Sequence, residues 1–440
     1  MSIAPPADQA IPPIFAAPAD AQTKWRRAAV LPESTTIDVL IDDITSIAVN
    51  GKVASLYKTL PRKLKLVVTS VNTQFEHTAE HIPAYHLLEV APPADGETVS
   101  IEDFWAVIYA LHTILHEQET IPIVLSQTFG NFEELTTYLL HSGLARHRHV
   151  GVYEPEPTDP ELFLLRGSFW QGAGTLGWHN RSWIRESSAA YARAPFPYIP
   201  SFSRSPLVIT SHPLRPPKPR PGELLYRKYF PQYGQSFELH YVDLEEEKLG
   251  PNGVGRHLET FHRWHNDPWV HRGWNEAGPI EKHRKYLKEL DADGGCLPVM
   301  MSWDGELMGY TELVYIRENH VNQYVTAGAW DYDRGLHCLI GEEKFRKDGR
   351  STLWFAAIMH YLFLADPRTE RLIGEPKIHN PGVIGLSLST EMHVQTVIDL
   401  PYKRSALTWQ TRERFFRYDL LIRTEDGTKR EEHPKFKPKL

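Results

Sequence analysis

A cluster of basic residues beside a glycine is the clearest chemical feature of this sequence. Four cationic side chains fall within one short segment: Lys344, Arg346, Lys347 and Arg350. Gly349 lies among them, and Ser351 stands where the apolar helical pattern STLWFAAIMHYLFL begins. A helix N-terminus presents unpaired N–H groups and partial positive charge, and glycine allows a tight backbone turn close to a ligand. The segment predicts a pyrophosphate cradle, with a solvated basic turn as the alternative.

The elements around this loop follow a regular order. LPVMMSW and GELMGYTELVYI are predicted to form a hairpin about Asp304-Gly305. The next buried strand, LHCLIGEE from Leu336 to Glu343, leads into the basic loop and its helix. RLIGEPKI is a strand, a further helix starts at Asn380, and HVQTVIDL and SALTWQTRERFF close the sheet. Three strands, a helix, a strand, a helix and two strands predict an α+β fold.

The chain has 440 residues, which favours two domains. In the N-terminal part, strands precede a helix that Ser100 caps, with Asp103 in a partial capping box, and no catalytic constellation is visible. Prolines and glycines punctuate the middle of the chain. The predicted divisions are a flexible arm, an N-terminal α+β domain, a Pro-rich irregular linker, a catalytic domain and a basic tail, at 1–30, 31–154, 155–221, 222–426 and 427–440.

Composition narrows the classes of function. The formal net charge of -7 disfavours nucleic acid as a partner. An apolar stretch long enough to cross a membrane and a secretory signal are both absent from the sequence. Cys296 and Cys338 are expected to be free thiols of a reducing compartment. No CxxC or Cys/His cluster indicates zinc, so no metal site is predicted, and no permanently bound cofactor is expected.

The element order and the basic loop resemble the GNAT acyltransferases. In that family an R/Q-x-x-G-x-G/A loop binds the pyrophosphate of coenzyme A, and RKDGRS at 346–351 is similar except for its final serine. The resemblance implies a two-domain α+β architecture. The C-terminal domain would be the catalytic GNAT domain, and the N-terminal domain would be a degenerate GNAT-like one.

Five further segments resemble the siderophore branch of that family, the hydroxylysine and hydroxyornithine N-acyltransferases. They occur in the expected order within 262–407 as HRWHNDPWVHRGW, GYTELVY, DRGLHCLIGE, GEPKIHNPG and LPYKRSAL. The resemblance implies transfer of an acyl group, anhydromevalonyl in the fungal members, from acyl-CoA to N5-hydroxy-L-ornithine. The alternatives are an acetyl-CoA-dependent enzyme of ferrichrome-type synthesis and a catalytically silent acyl-CoA-binding protein.

The resemblance also assigns roles to residues. His337 matches the histidine proposed as the base, and Glu375 is placed to orient it; a core histidine and a structural ion pair are the alternatives. Classical GNAT enzymes often protonate the thiolate with a tyrosine, and NPGVIGLSLSTEM holds none. Acyl-CoA contacts are expected from Leu339, Gly341, Lys344, Arg346, Gly349, Arg350, Ser351 and Asn380. Acceptor contacts are expected from His262, Trp264, Trp274, Tyr310, Glu312, Asp333 and Lys403.

The C-terminal residues Pro438, Lys439 and Leu440 resemble a peroxisomal Ser-Lys-Leu address. They predict a peroxisomal location and contact with an import receptor, with the cytoplasm as the alternative. A homodimer is a further expectation by analogy with the fold.

Overall fold

The computed structural model describes residues 14–15, 24–65, 84–147, 160–185, 199–205, 207–245, 250, 253–346 and 349–422. Most of the predicted arm and all of the predicted tail, including its Pro-Lys-Leu end, lie outside these residues. The chain divides into two compact units. They are Met1–Ser182 with Tyr229–Gln235, and Trp183–Lys228 with Ser236–Leu440.

The first unit is built on an eight-stranded sheet with the order β1-β2-β3-β4-β5-β6-β8-β7. Its only parallel pair among the described strands is β5–β6, and the helix α1 connects these two strands. The strands are β1 Arg26–Val30, β2 Thr36–Leu40, β3 Thr45–Val49, β4 Lys52–Lys65, β5 Ala84–Ala91, β6 Thr120–Leu125, β7 Ala145–His147 and β8 Glu161–Leu165. The helices are α1 Ile101–Ile114, α2 Phe132–His141 and α3 Arg166–Trp170.

The predicted boundary at residue 154 is wrong, because the first sheet continues beyond it. β8 carries the apolar run ELFLL and pairs with both β6 and β7. Its side chains complete the core of the first unit, with Phe163 and Leu164 almost fully buried. The predicted linker therefore contains β8, α3 and a two-stranded hairpin, β9 Pro200–Arg204 with β10 Ile209–Pro213.

The second unit contains the other eight-stranded sheet, ordered β11-β12-β13-β14-β15-β16-β18-β17. Its strands are β11 Leu224–Phe230, β12 Gln235–Tyr241, β13 Cys296–Trp303, β14 Glu306–Tyr315, β15 Arg334–Ile340, β16 Arg371–Gly374, β17 His393–Leu400 and β18 Lys403–Thr411. Its helices are α4 Arg256–His265, α5 Pro268–Trp274, α6 Ile280–Ala292, α7 Ser351–Ala365, α8 Pro381–Ser389 and α9 Arg412–Arg417.

The two sheets have the same strand order, and in each the parallel pair is joined by one helix, α1 or α7. The prediction that the N-terminal domain repeats the fold of the C-terminal one is therefore confirmed. The first unit has no helices between β2 and β3, whereas α4, α5 and α6 stand between β12 and β13 in the second. The extra helices cover the sheet face that carries the candidate site.

Within the second unit, most predicted elements are present, and two segments differ. The Asp304-Gly305 hairpin forms with both residues at positive φ, as a type I′ turn requires. The strand predicted to reach Glu343 ends at Ile340, and a short 3-10 helix follows at Glu343–Arg346. RERFF forms the helix α9, which Thr411 caps, and does not extend β18. Among the described residues, no helix is long and apolar enough to cross a membrane.

Candidate active site

The sheet of the second unit opens between β15 and β16. These strands form its parallel pair, and their register covers two residue pairs, the second being Gly335 with Ile373. β15 continues against β14 beyond that point, and the edge that faces β16 is left open. His337 on β15 and Glu375, which follows β16, are the next side chains on the two sides of this opening.

His337 lies between two carboxylates. Its Nδ1 is 3.1 Å from Oε2 of Glu312, and its Nε2 is 3.1 Å from Oε1 of Glu375. The His337 side chain is 32% exposed, whereas those of Glu312 and Glu375 are 6% and 5% exposed. The predicted contact between His337 and Glu375 is thus present, and the imidazole is the part of the group that a substrate can reach.

Lys403 completes this group from β18. Its Nζ donates to Oε1 of Glu375 at 3.1 Å and to the backbone carbonyl of Glu375 at 2.9 Å. The sequence predicted Lys403 as a partner for an acceptor carboxylate. In the structure, the Lys403 ammonium group forms an ion pair with Glu375.

These contacts set the protonation states. Burial alone would lower the pKa of His337, but Glu375 and Glu312 raise it to about 10. Burial also opposes ionisation of Glu375, yet His337 and Lys403 hold its pKa at about 2. At neutral pH the group therefore holds an imidazolium that donates to both carboxylates.

Glu312 acts as a partner of His337, a contact that the sequence analysis missed. Glu312 and His337 are directly paired across β14 and β15. The hydroxyl of Tyr286 on α6 donates to Oε1 of Glu312 at 2.5 Å, and that of Tyr310 donates to the same atom at 3.3 Å. The two tyrosines fix the carboxylate, and its Oε2 remains directed at the imidazole.

Of the other residues predicted to bind the acceptor, His262, Trp264, Trp274 and Tyr310 lie in or beside one cluster, and Asp333 lies apart from it. Trp264 and Tyr310 are almost fully buried in an aliphatic and aromatic cluster under α4. Asp333 forms a buried ion pair with Arg371. Its carboxylate is consequently occupied, and the prediction that it binds an acceptor amine is wrong.

His262 and Trp274 are half-buried and border the same cluster. Nδ1 of His262 lies 2.8 Å from Nδ1 of His283, and the Trp274 ring packs edge-on against His265 and Tyr310. Of the predicted acceptor residues in this region, these two keep some exposed surface. Their role stays a prediction.

The N-terminus of α7 has the properties of an anion site. Its N-cap residue, Arg350, makes no side-chain capping hydrogen bond. The N–H groups of Leu353 and Trp354 both donate to the Arg350 carbonyl, which leaves those of Ser351 and Thr352 in the first turn directed outward. Gly349 has φ +79°, a conformation that favours glycine. This geometry fits the predicted phosphate contacts of Gly349, Arg350 and Ser351.

Arg346 was predicted to contact the pyrophosphate, and in the structure it contacts two backbone carbonyls. Its Nε donates to the Ile340 carbonyl at 3.0 Å and its Nη2 to the Gly341 carbonyl at 2.6 Å. The guanidinium therefore clamps the end of β15, and Asp267 lies 3.6 Å away as a counter-charge. The prediction of a direct pyrophosphate contact from Arg346 is not supported by this arrangement.

Lys344 and Asn380 each have a partner within the second unit. Lys344 is exposed and pairs with Glu306, and Asn380 caps α8 by accepting from Val383 N–H at 3.3 Å. Leu339 is buried in the cluster under α4. Their predicted contacts with acyl-CoA stay predictions.

The backbone donors at the opening are those of Cys338 and Ile340. The predicted donors were the N–H groups around Leu339 to Gly341. Gly341 N–H donates to the Met308 carbonyl at 2.9 Å, so it faces β14. Because alternate N–H groups of a strand point to opposite edges, Leu339 N–H faces β14 as well. Cys338 and Ile340 present theirs to the open edge.

In the first unit, the N-terminus of the corresponding helix, α1, has different surroundings. Its connection from β5 to α1, PPADGETVS at 92–100, contains Asp95 and Glu97 and no basic residue. Ser100 caps α1 by accepting from Asp103 N–H at 3.0 Å. The helix N-terminus is thus capped by Ser100, and its acidic residues Glu102 and Asp103 pair with Arg181.

A metal site is not formed by the residues that the structure describes, since no group of three or more potential ligands occurs among them. Cys296 and Cys338 are both free. The groups present at the opening are His337, its two carboxylates and backbone donors.

Comparisons with known proteins identify the relatives of this chain. Residues 254–400 match the family model for the acetyltransferase (GNAT) domain. Acyltransferase ato1 of Omphalotus olearius is 35% identical over 89% of this chain and 94% of its own. Hydroxyornithine transacylase SID3 of Ajellomyces capsulatus is 32% identical over 73% of each chain. The N(5)-hydroxyornithine:cis-anhydromevalonyl coenzyme A-N(5)-transacylase SIDF of Beauveria bassiana is 32% identical over 73% of this chain and 74% of its own.

Proposed function

The chain belongs to the GNAT family of acyltransferases, together with the fungal hydroxyornithine transacylases, and we propose that it transfers an acyl group from acyl-CoA to the N5 nitrogen of N5-hydroxy-L-ornithine. The product would be a hydroxamate building block for siderophores. The observation that carries this proposal is the position of His337, which lies between Glu312 and Glu375 at the opening of the catalytic sheet.

The proposed reaction forms an N–C bond and breaks the C–S bond of the thioester. The hydroxylamino nitrogen attacks the carbonyl carbon, and one proton must pass from nitrogen to the departing sulfur. Because His337 starts as an imidazolium, we assign it the acid step first: it protonates the leaving sulfur. The neutral imidazole then accepts the proton from the acylated nitrogen. This order gives the thiolate a proton donor although α8 carries no tyrosine.

Two further features support the acyl transfer. Cys338 and Ile340 present N–H groups at the open edge of β15 and would polarise the thioester carbonyl. Glu375, whose pKa is held at about 2 by His337 and Lys403, would stabilise the imidazolium that reforms when His337 accepts the proton from nitrogen.

The acyl-CoA phosphates are assigned to the N-terminus of α7, and the exchange of Ser351 for aspartate tests this. Ser351→Asp adds a carboxylate to the first turn, where it repels a pyrophosphate and stabilises the helix dipole. We expect KM for acyl-CoA to rise about tenfold or more, since that is about 1.4 kcal/mol of lost binding, with kcat and thermal stability maintained. Steady-state kinetics and thermal melts measure both.

Ser351→Asn is the matched control, because asparagine has the shape of aspartate without the charge. Its KM should stay near that of the natural protein. Equal KM values for the two variants would move the phosphate site away from α7.

For the acyl group we propose anhydromevalonyl. The SIDF relative acts with that donor by its name, and the peroxisomal address read in the sequence agrees with the same branch. Acetyl transfer for ferrichrome-type siderophores is the second candidate, and a silent acyl-CoA-binding protein is the third.

The donors are compared by thiol release with N5-hydroxyornithine as acceptor. We expect a higher kcat/KM with anhydromevalonyl-CoA than with acetyl-CoA. The opposite preference would assign the enzyme to the acetylating branch. Tight binding of both donors without thiol release would favour the silent protein.

A further inference from the structure

A cavity lies in the second unit, on the face of the sheet opposite to His337. Its volume is about 310 Å³. Leu313 on β14 lines it, whereas the preceding residue, Glu312, contacts His337. Successive side chains of a strand point to opposite faces, so the sheet separates the cavity from the opening.

The cavity is also remote from the phosphate end of α7. Tyr361 and Ala365 from the last turns of that helix line it, while Ser351 begins the helix. At 1.5 Å per residue, Tyr361 and Ala365 are about 15 Å and about 21 Å from Ser351 along the helix. The cavity is therefore not an extension of the acyl-CoA phosphate site.

Arg334 is a buried cation on the wall of this cavity. The residue is 5% exposed, and its Nε donates to the Val314 carbonyl at 3.3 Å. Its guanidinium lies 4.0 Å from the ring centre of Tyr315. Among the described residues, no acceptor is bonded to either of its terminal nitrogens. A buried guanidinium without an anion is costly, and this one has two adjacent N–H groups in the geometry that matches a carboxylate.

Two other cations lie near Arg334, and each already has partners of its own. Arg215 packs on the same Tyr315 ring at 3.7 Å but is paired with Glu318 through two hydrogen bonds of 2.6 Å. Lys218 lines the cavity and donates to the carbonyls of Leu290 and Cys296. The cavity thus gathers positive charge around Arg334.

The acidic side chain on the wall is Glu223. It accepts from the backbone N–H of Arg220 at 3.0 Å and forms an ion pair with that side chain. Arg220 lines the cavity too. Three cations and one carboxylate therefore face this space, and the excess is positive.

The remainder of the wall is mostly apolar, with one further donor. Leu297, Leu313, Ala365 and prolines 216, 217 and 219 supply hydrocarbon surface. Tyr361 is 3% exposed, and burial raises the pKa of its hydroxyl, so the hydroxyl stays protonated and able to donate. A volume of this size is at the lower end for small-molecule sites.

We propose that this cavity is a binding site for a small organic carboxylate with a short apolar chain. The carboxylate would pair with the Arg334 guanidinium and accept from the Tyr361 hydroxyl. The chain would lie against Leu297, Leu313 and the proline segment. The site is separate from acyl transfer and would be occupied independently of acyl-CoA.

Calorimetric titration of the full chain tests this with four probes: hexanoate, hexan-1-ol, hexylammonium and inorganic sulfate. We expect saturable one-to-one binding of hexanoate. Hexan-1-ol and sulfate should bind at least about tenfold more weakly, because each lacks either the charge or the chain, and hexylammonium should not bind. Hexanoate without saturable binding, or sulfate and hexan-1-ol as tight as hexanoate, would overturn the proposal.

Variants localise the site. Arg334→Gln should abolish hexanoate binding, and Tyr361→Phe should weaken it about fivefold through loss of one hydrogen bond. Tyr226→Phe is the control, since that buried tyrosine packs beside Tyr361 but uses its hydroxyl on His360 at 3.0 Å. Its affinity should not change.

If Arg334→Gln does not fold, Ala365→Leu replaces it, because the larger side chain fills the cavity and should also abolish binding. Hexanoate affinity that is unchanged in Tyr361→Phe and in the second variant would place the ligand elsewhere and refute the assignment.

Discussion

Replacement of His337 by glutamine is expected to lower kcat for acyl transfer by about 10²- to 10⁴-fold, the range typical of a lost general acid or base. Glutamine keeps an amide that can donate to Glu312 or Glu375, so the buried carboxylates retain a partner and the fold should persist. It cannot supply or accept a proton at neutral pH. The affinity for acyl-CoA should not change, because the proposed phosphate site is the N-terminus of α7.

The matched control is His240→Gln. His240 also lies on a strand of the second sheet, is 25% exposed in its side chain and has a glutamate, Glu238, 3.4 Å from its Nε2. It is outside the opening, and its variant should keep full activity. Loss of activity in His240→Gln equal to that in His337→Gln would indicate a general effect on the sheet and contradict the assignment.

Replacement of Glu375 by glutamine is expected to shift the pH profile. Burial lowers the pKa of His337 while the two carboxylates raise it to about 10. Removal of the Glu375 charge therefore lowers this pKa toward the ordinary value of about 6.5. If the imidazolium acts first, kcat falls as pH rises through the pKa. The falling limb should move from near pH 10 in the natural protein to a lower pH in Glu375→Gln.

The same shift affects stability in a defined direction. A histidine whose folded pKa is raised stabilises the fold below its unfolded pKa, and this contribution is lost as pH rises toward about 10. Glu375→Gln should therefore lose stability chiefly at acidic and neutral pH, and thermal melts across pH measure this difference.

Glu391→Gln is the control for Glu375→Gln. The Glu391 side chain is 10% exposed and pairs with Arg414 at 3.2 Å in the same unit, so it reports the cost of losing a buried carboxylate elsewhere.

A pH profile in Glu375→Gln that rises through the histidine pKa, and does not fall, would assign His337 the role of a base from the start.

The contact between His337 and Glu375 could be predicted because the order of motifs placed each on a strand at a known opening. The contact of His337 with the second carboxylate, that of Glu312, could not be predicted. Glu312 meets His337 through the register of β14 and β15, and the long segment between these strands sets no register that a sequence shows. Glu312 was therefore predicted to face the acceptor.

Two positive charges have partners in the structure that the sequence did not predict. Arg346 was predicted to bind the pyrophosphate because it lies in the loop that resembles the GNAT motif, and Lys403 was predicted to bind the acceptor carboxylate. In the structure, Arg346 satisfies carbonyls at the end of β15 and Lys403 holds Glu375. Local sequence shows a charge, but its partner depends on which carbonyls and carboxylates the fold leaves unpaired.

The domain boundary predicted at residue 154 was wrong because the sequence does not show which strands β8 pairs with. β8 enters the first sheet between β6 and β7, although it follows both in the chain. Its surroundings are rich in proline and glycine, which concealed a short buried strand. By contrast, the repeated architecture was predictable, since strands, helix, strand and helix recur in the same order in both halves.

The most direct test of acyl transfer to a hydroxylated nitrogen is the identification of the product by mass spectrometry, with N5-hydroxyornithine and ornithine offered separately. An alkylamine with a pKa near 10 is almost entirely protonated at pH 7, whereas the hydroxylamino nitrogen is nucleophilic. We expect the N5-acyl hydroxamate from N5-hydroxyornithine and almost no amide from ornithine. Equal acylation of both acceptors, or an ester on the hydroxyl oxygen, would contradict the proposed function.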